Sequence, residues 1–441
     1  MFLQQLANRI VGLNSGYKRY FFHTSWNLLG RIFTLVVAFF VNIYVIRSLG
    51  PSNYGVVSYV LSYAGLFSCI ASLGIDNVLY INLIENPEKK DKLLGSALVL
   101  RLFGSFVAII LTFISVLIIH DTFYNTVMIM LIACSFIFQP LYIINLYFQA
   151  KVFSKPTVIN YFVISILLLL LKVLVIYFGL GMKYYISIFA LESLLTAVGY
   201  VFIYYRHKQN IFNWRFDVET AKGMFIQSWP LVLSSAFVLV YSRIDQIMIN
   251  HLINSTAVGI YDSAVRLAEF WYFIPATVVG SVFPAVVNAR LVDVLLYEKR
   301  LVRLYSVAFY LALVFVIPIT LFSDKIIQLL YGVPFFAAGA VLRIYVWAGI
   351  FSTFGIIVNQ VLVHDKLTKI SFVISFVAMF INIILNIILI PKFGINGAAF
   401  ATLISYAAIP LSTLLFNRTR RQGLFMFKAL ILPKRIYDFR K

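Results

Sequence analysis

Apolar residues in this chain form long unbroken runs separated by short polar segments. The pattern shows neither the alternation of strands nor the one-sided stripe of a surface helix. Twelve runs can be drawn, at 20–46, 54–75, 93–119, 124–149, 156–179, 184–205, 223–250, 257–288, 301–322, 335–363, 368–390 and 395–416. About 20 apolar residues in a helix cross the roughly 30 Å hydrocarbon layer. The pattern therefore predicts an all-α integral membrane protein of twelve transmembrane helices. Membrane β-barrel strands alternate over about ten residues, which excludes that architecture. The run 257–288 is longer than one crossing needs, which predicts a tilt, fraying or a kink at Pro275.

The polar segments sort by charge. Of 36 Lys and Arg residues, 26 fall in alternate segments between the runs, and four (Arg47, Lys183, Lys325 and Lys392) fall in the others. Basic residues stay on the cytoplasmic side, so both termini are expected there. The net charge of +20 is thus a topological signal and gives no reason to invoke nucleic acid. Composition agrees: 62% of residues are hydrophobic and 12% charged, with a mean hydropathy of +0.94, far from a soluble domain. Residues 1–19 are polar and basic, so no cleavable signal peptide is expected. Cys69 and Cys134 fall within apolar runs and are too few for a disulfide framework.

The widest basic segment, Arg206–Lys222, divides the chain into an N-terminal six-helix bundle (1–205), a cytoplasmic linker (206–222), a C-terminal six-helix bundle (223–416) and a basic cytoplasmic tail (417–441). The halves carry similar outer turns, Leu49-Gly50-Pro51-Ser52-Asn53-Tyr54-Gly55 and Leu252-Ile253-Asn254-Ser255-Thr256-Ala257-Val258-Gly259. An even number of helices per half makes such repeats parallel, and two bundles enclosing a mid-depth site are the expected form of an alternating-access carrier.

Six cations remain inside apolar runs: Arg31, Arg101, Lys172, Arg243, Arg266 and Arg343. A charge at mid-membrane costs about 2.5–3.5 kcal/mol on insertion scales unless it pairs or snorkels. The acids at membrane depth are Asp76, Glu192, Asp245 and Glu269, with Asp262 nearer the outer end. Asp76 and Arg101 share a level and are expected to pair structurally. Lys172 and Glu192 also share a level, as a structural or a functional pair. Asp262, Arg266 and Glu269 are spaced i, i+4, i+7 on one helical face. Arg243 shares a face with Gln246 and Asn250, whereas Asp245 points elsewhere.

Arg31, Arg243, Arg266 and Arg343 are therefore expected to lack full balance at their depth, with Asn27 extending the face of Arg31. Several arginines facing one interior repel unless an anion joins them, and the guanidinium fork suits phosphate oxygens. The expectation is a hydrated cationic cavity for a phosphorylated substrate. Asp245, Glu269, Glu192 and Asp262 are candidates for charge pairs or a coupling ion. Polar residues on other runs (Ser371, Ser375, Asn382, Asn386, Gln139, Asn145, Gln149) suit sugar hydroxyls but more often join helices across lipid. No phosphate loop, metal-binding spacing or nucleophile motif is present, so no enzyme and no metal or organic cofactor is expected.

Arg243-Ile-Asp245-Gln-Ile-Met-Ile, Ala257-Val-Gly259-Ile-Tyr261 and Trp271-Tyr-Phe-Ile-Pro275 resemble the Wzx-type polysaccharide repeat-unit flippases. These form the polysaccharide transport branch of the multidrug/oligosaccharidyl-lipid/polysaccharide (MOP) exporter superfamily. Asn27-Leu-Leu-Gly-Arg31, Leu49–Gly55, Val341-Leu-Arg343-Ile and Gly394-Ile-Asn-Gly-Ala398 are similar too. The resemblance implies a MATE-like fold of two six-helix bundles in the bacterial inner membrane. It also implies translocation of undecaprenyl-pyrophosphate-linked oligosaccharide, such as O-antigen repeat units for lipopolysaccharide, from the cytoplasmic to the periplasmic leaflet. H⁺ or Na⁺ coupling and other polysaccharide-assembly membrane proteins as partners follow from the same likeness. The rival readings are an exporter of another substrate within the superfamily, which the excess of cations disfavours for cationic drugs, and a membrane-embedded glycan polymerase or glycosyltransferase. The latter is expected to carry a sizeable external loop, and no external segment here is long.

Overall fold

The computed structural model of the protein describes residues 15–431, with side chains from residue 36 onward except those of Leu231 and Ile431. Among the described residues every regular element is helical. Nine helices among the described residues are long and apolar enough to cross a membrane, and a further bent pair, 36–66 with 68–85, turns through 42°.

The turn at 49–55 holds a single-residue break. Helix α1 (Ser15–Leu66) is interrupted at Gly50, with φ 70° and ψ 171°, followed by Pro51; only glycine reaches that conformation without strain. The second apolar run does not end at 75. It continues through α2 (Ser68–Ser72) and, after positive-φ residues Leu73 and Gly74, through α3 (Asp76–Glu85). Helix α4 (Lys90–Ile119) follows the third run. The fourth is α5 (Phe123–Cys134) and α6 (Ile143–Ala150), joined by a 3₁₀ stretch Ser135–Tyr142 that contains Pro140. Helices α7 (Lys155–Tyr177) and α8 (Met182–Arg206) match the fifth and sixth runs closely.

Helix α9 (Val218–Leu252) opens the second half. The long run 257–288 is two helices, α10 (Ser255–Glu269) and α11 (Phe273–Arg290), joined by the 3₁₀ turn Phe270–Tyr272. Pro275 supplies no N–H for the carbonyl of Trp271, which explains a break at that point. Helix α12 (Val294–Leu330) runs past Phe322, where the apolar run ended. Then come α13 (Ala338–Tyr345), α14 (Ala348–His364), α15 (Thr368–Ser412, non-helical at Gly394 with φ 59° and ψ −141°) and α16 (Arg420–Ile431).

The chain packs as two compact units. The first holds residues up to Val45 and Phe67–Trp229; the second holds Ile46–Leu66 and the residues from Pro230 on. The sequence division places 46–66 in the first half, whereas its contacts place it in the second unit. In the first unit, α7 and α8 meet through Ile164, Leu168 and Ile188.

The segment 206–222 is docked along its length within the first unit. Arg215 N donates to the Asp91 carbonyl at 3.0 Å, and Ser96 Oγ bonds both the amide of Asp217 (3.0 Å) and its carbonyl (3.1 Å). Trp214 Nε1 donates to Tyr204 Oη at 2.9 Å. Asp217 caps α9 by accepting from Thr220 N at 3.0 Å and Thr220 Oγ1 at 2.5 Å. Those two bonds, with Lys92 nearby, hold its carboxyl below the usual carboxylate range.

Gly95 permits the docking, because a Cβ there would lie 2.4 Å from the Arg215 carbonyl oxygen. Gly95→Val is expected to lower the thermal midpoint in detergent by several degrees, at a cost of about 1–3 kcal/mol. Gly223→Ala, with nothing within 4 Å of the added methyl, is the control and leaves the midpoint unlowered.

Candidate functional site

The intramembrane charges of the second unit converge around α10. Its middle, Val258–Ala268, is buried apart from Ile260 and Arg266. Helix α10 begins with Asn254 accepting from Ala257 N at 2.9 Å, and one turn later Gly259 meets the segment 46–66 of α1. A Cβ on Gly55 would sit 1.7 Å from the Ser255 carbonyl oxygen, and one on Gly259 would sit 2.0 Å from that of Pro51. Backbone therefore touches backbone, as small residues allow between helices in lipid. The two outer turns that resemble each other in sequence are the segments that cross here.

This contact delivers the residues that satisfy Asp262, which is fully buried. Its Oδ2 accepts from Tyr54 Oη at 2.5 Å, Ser58 Oγ at 2.6 Å and Arg266 Nε at 2.7 Å. Its Oδ1 accepts from Gln246 Nε2 at 2.8 Å, and Ser62 Oγ donates to Gln246 Oε1. Tyr54, Ser58 and Ser62 are spaced i, i+4, i+8, so a single face of α1 provides all three. That spacing was available in the sequence, but nothing there said which acid it served.

Two further carboxylates lie along α9 and α10. Asp245, also buried, accepts from Tyr261 Oη, from Thr402 Oγ1 at 3.3 Å and from the Gln246 amide at 2.8 Å. Glu269 accepts from Tyr345 Oη at 2.9 Å and lies 3.6 Å from Arg243 Nη2. Tyr241, Ala378 and Tyr406 share one packed cluster. One turn after Tyr241 and Ala378 lie Asp245 and Asn382, and one turn before Tyr406 lies Thr402. Asn382 and Asn386 are fully buried and bond each other at 3.0 Å, which leaves Asn382 Nδ2 and Asn386 Oδ1 without partners.

The expectation of unbalanced cations does not hold for the arginines described. Arg243 pairs with Glu269, Arg266 with Asp262, and Arg343 with Asp324 at 2.5 Å, assisted by Ser323 at 3.2 Å. The sequence count missed Asp324 because α12 extends beyond the apolar run. Around α9 and α10, two guanidiniums face three carboxylates. The paired side chains stay partly exposed: those of Arg243, Arg266 and Arg343 are 34%, 40% and 50% exposed.

In the first unit, Arg101 pairs with Asp76 as expected and donates to the Gln139 carbonyl at 3.2 Å. Lys172 is nearly buried, with its ammonium 4.2 Å from the Phe189 ring centre, one turn from the half-buried Glu192. Arg31 and Asn27 lie outside the residues whose side chains are described.

Residues 23–290 match the family model described as polysaccharide biosynthesis protein. The chain belongs to that family. Residues 230–388 also match the MatE model, in keeping with the MOP superfamily resemblance. The probable flippase AglR of Haloferax volcanii is 30% identical over 169 residues, covering 37% of this chain and 35% of that protein. The probable low-salt glycan biosynthesis flippase Agl15 of the same organism is 27% identical over 200 residues, covering 43% and 40%. The matches thus span well under half the length of either relative. The solved lipid II flippase MurJ, in an inward closed conformation, superposes with a TM-score of 0.67 at 17% identity, over 92% of this chain and 91% of that one. At that identity the likeness concerns the fold. This family member is a multi-pass membrane protein with a MATE- and MurJ-like helical fold.

Asp262→Ala is expected to leave Arg266 and three other donors without their acceptor, at a cost of about 3–5 kcal/mol, read as a lower thermal midpoint in detergent. A double-mutant cycle of Tyr54→Phe with Asp262→Asn is expected to give a coupling of about 1 kcal/mol or more. Simple additivity would remove Tyr54 from that hydrogen-bond cluster.

Proposed function

We propose that this protein is a flippase for lipid-linked oligosaccharides, carrying undecaprenyl-pyrophosphate-linked repeat units from the cytoplasmic to the periplasmic leaflet of a bacterial inner membrane by alternating access. The chain crosses the membrane twelve times, α1 and α15 contributing two crossings each about Gly50 and Gly394, and both termini are cytoplasmic. It forms an N-terminal six-helix bundle, the 206–222 linker, a C-terminal bundle and a basic tail. It performs no covalent chemistry on its cargo, and polysaccharide-assembly membrane proteins are its partners.

The observation that carries the reading is three arginines, Arg243, Arg266 and Arg343, each paired with a carboxylate while its side chain stays partly exposed. A guanidinium presents its N–H donors in a planar fork, the geometry that suits diphosphate oxygens. Arg243, Arg266 and Arg343 bind the pyrophosphate and anionic sugars, and Arg31, Asn27 and Lys172 are further candidates for contact with the cargo. The carboxylates keep the arginines soluble in the bilayer when no substrate is bound and weaken the attraction enough for release. The names of the two Haloferax relatives, both flippases, support the same reading. Asp245, surrounded by hydroxyls of Tyr261 and Thr402 and level with Asn382, binds the coupling H⁺ or Na⁺, with Glu269, Glu192 and Asp262 as charge partners.

A second reading, export of a cation by the same fold, is favoured by one observation, the three carboxylates against two guanidiniums around α9 and α10. The two readings separate in proteoliposomes. Labelled undecaprenyl-pyrophosphate oligosaccharide is expected to reach the far leaflet only with protein present. Arg243→Gln with Arg343→Gln lowers the rate about tenfold or more, since charge-assisted bonds contribute about 1.5–3 kcal/mol each, and Arg→Lys at both sites restores part of it. Wild-type rates in the Gln variant sink the phosphate site, and gradient-driven uptake of a cationic dye without lipid transfer establishes the second reading. Asp245→Asn is expected to abolish the dependence of transport on whichever ion gradient drives it, measured by imposing H⁺ and Na⁺ gradients separately.

A further inference from the structure

Helix α16 has a use that transport of the lipid-linked cargo does not explain. One side of it is seated on the second unit. Phe425, Met426 and Ala429 are buried, Gln422 Nε2 donates to Tyr305 Oη at 3.0 Å, and the Ala429 carbonyl accepts from Ser306 Oγ at 3.2 Å. Arg421 pairs with Glu298 at 2.6 Å. Tyr305, Ser306 and Glu298 all lie in the first turns of α12. Gly423 faces the 3₁₀ turn Thr413–Leu415 that precedes the helix, where a Cβ would be 2.6 Å from Leu414 Cδ2.

The other side is also apolar. Leu424, Phe427 and Leu430 are exposed at i, i+3, i+6 spacing, and Leu415 is exposed just before the helix. Arg420 and Lys428 lie on the same short helix and Arg418 precedes it, all exposed. Of the four basic residues in 418–428, Arg421 alone has a carboxylate within 4 Å among the described residues. From residue 417 to the end the sequence has eight Lys and Arg and one acid, Asp438. A helix packed on protein by one face, with apolar groups and unneutralised cations on the other, fits the boundary between acyl chains and headgroups. Apolar contact alone would not call for the cations; an anionic headgroup layer would.

We propose that α16 is an interfacial helix that binds anionic phospholipid of the leaflet it faces, with Leu424, Phe427 and Leu430 in the acyl region and Arg418, Arg420 and Lys428 on the phosphates. Because its opposite side is bonded to α12, bound lipid fixes the end of that long helix. The site is separate from the arginines of α9, α10 and α13, so its test does not depend on the transport reading.

The experiment uses the full chain with Phe427→Trp, reconstituted in bilayers containing brominated phosphatidylglycerol or, at equal mole fraction, brominated phosphatidylcholine. Fluorescence of the parent protein is subtracted. Quenching of the added tryptophan is expected to be about twofold greater with the anionic lipid. The difference should vanish in an R418Q/R420Q/K428Q background and at about 1 M salt, where the Debye length shrinks to roughly 3 Å. Equal quenching by both lipids in the unmodified background overturns the proposal, because the helix then meets lipid without selecting charge. Absence of quenching overturns it too, because that face then meets water or protein. If Phe427→Trp does not give monodisperse protein, Leu424→Trp reports on the same face with the same outcomes.

Discussion

A carboxylate with no exposure to solvent, Asp262, and the four donors that converge on it are the constraint from which the second unit is built. An isolated buried charge is costly, and the cost is relieved only when its lone pairs are filled. Tyr54 and Ser58 come from α1, Gln246 from α9 and Arg266 from α10 itself, so the acid is satisfied only when three helices are in register. That register requires α1 and α10 to touch along their backbones at Gly55 and Gly259. In lipid, helices gain little by hiding apolar surface from one another, so close packing and interhelical hydrogen bonds decide the arrangement. The small residues and the polar cluster are one device.

The same economy governs the arginines. A guanidinium free at mid-membrane would bind an anion tightly and hold it. One that is already paired presents a reduced field, which suits a carrier that must both take up and release a charged cargo. Pairing also spares the empty protein from burying bare cations. Under the proposed function, the acid excess around α9 and α10 is balanced when a proton or a cation joins Asp245. Coupling and cargo binding would then compete for charge balance within one unit.

Much of this was legible from residues alone. Apolar runs located nearly every helix, the level of Asp76 and Arg101 foretold their pairing, and the i, i+4, i+7 spacing placed Asp262, Arg266 and Glu269 on one face. What escaped was tertiary. Asp324 was left out because hydropathy falls before α12 ends, so Arg343 looked unbalanced. Tyr54, Ser58, Tyr261, Tyr345 and Thr402 were invisible as partners because a hydroxyl in an apolar run gives no sign of which distant acid it serves. Periodicity also could not show that 46–66 packs with residues beyond 230, since hydrophobic runs carry no information about which run lies beside which.

The places where the chain passes from one unit to the other share a physical character. It passes at Val45–Ile46, shortly before the non-helical Gly50 and Pro51, returns at Leu66–Phe67, between α1 and α2, and passes again at Trp229–Pro230. Proline lacks the donor that would bond the preceding turn, and glycine in the left-handed region interrupts the helical ladder. Two of the three passages thus lie near a residue that interrupts helical hydrogen bonding, while the polar contacts of Asp262 and of the docked 206–222 segment lie within single units. Each polar cluster ties together the helices of its own unit.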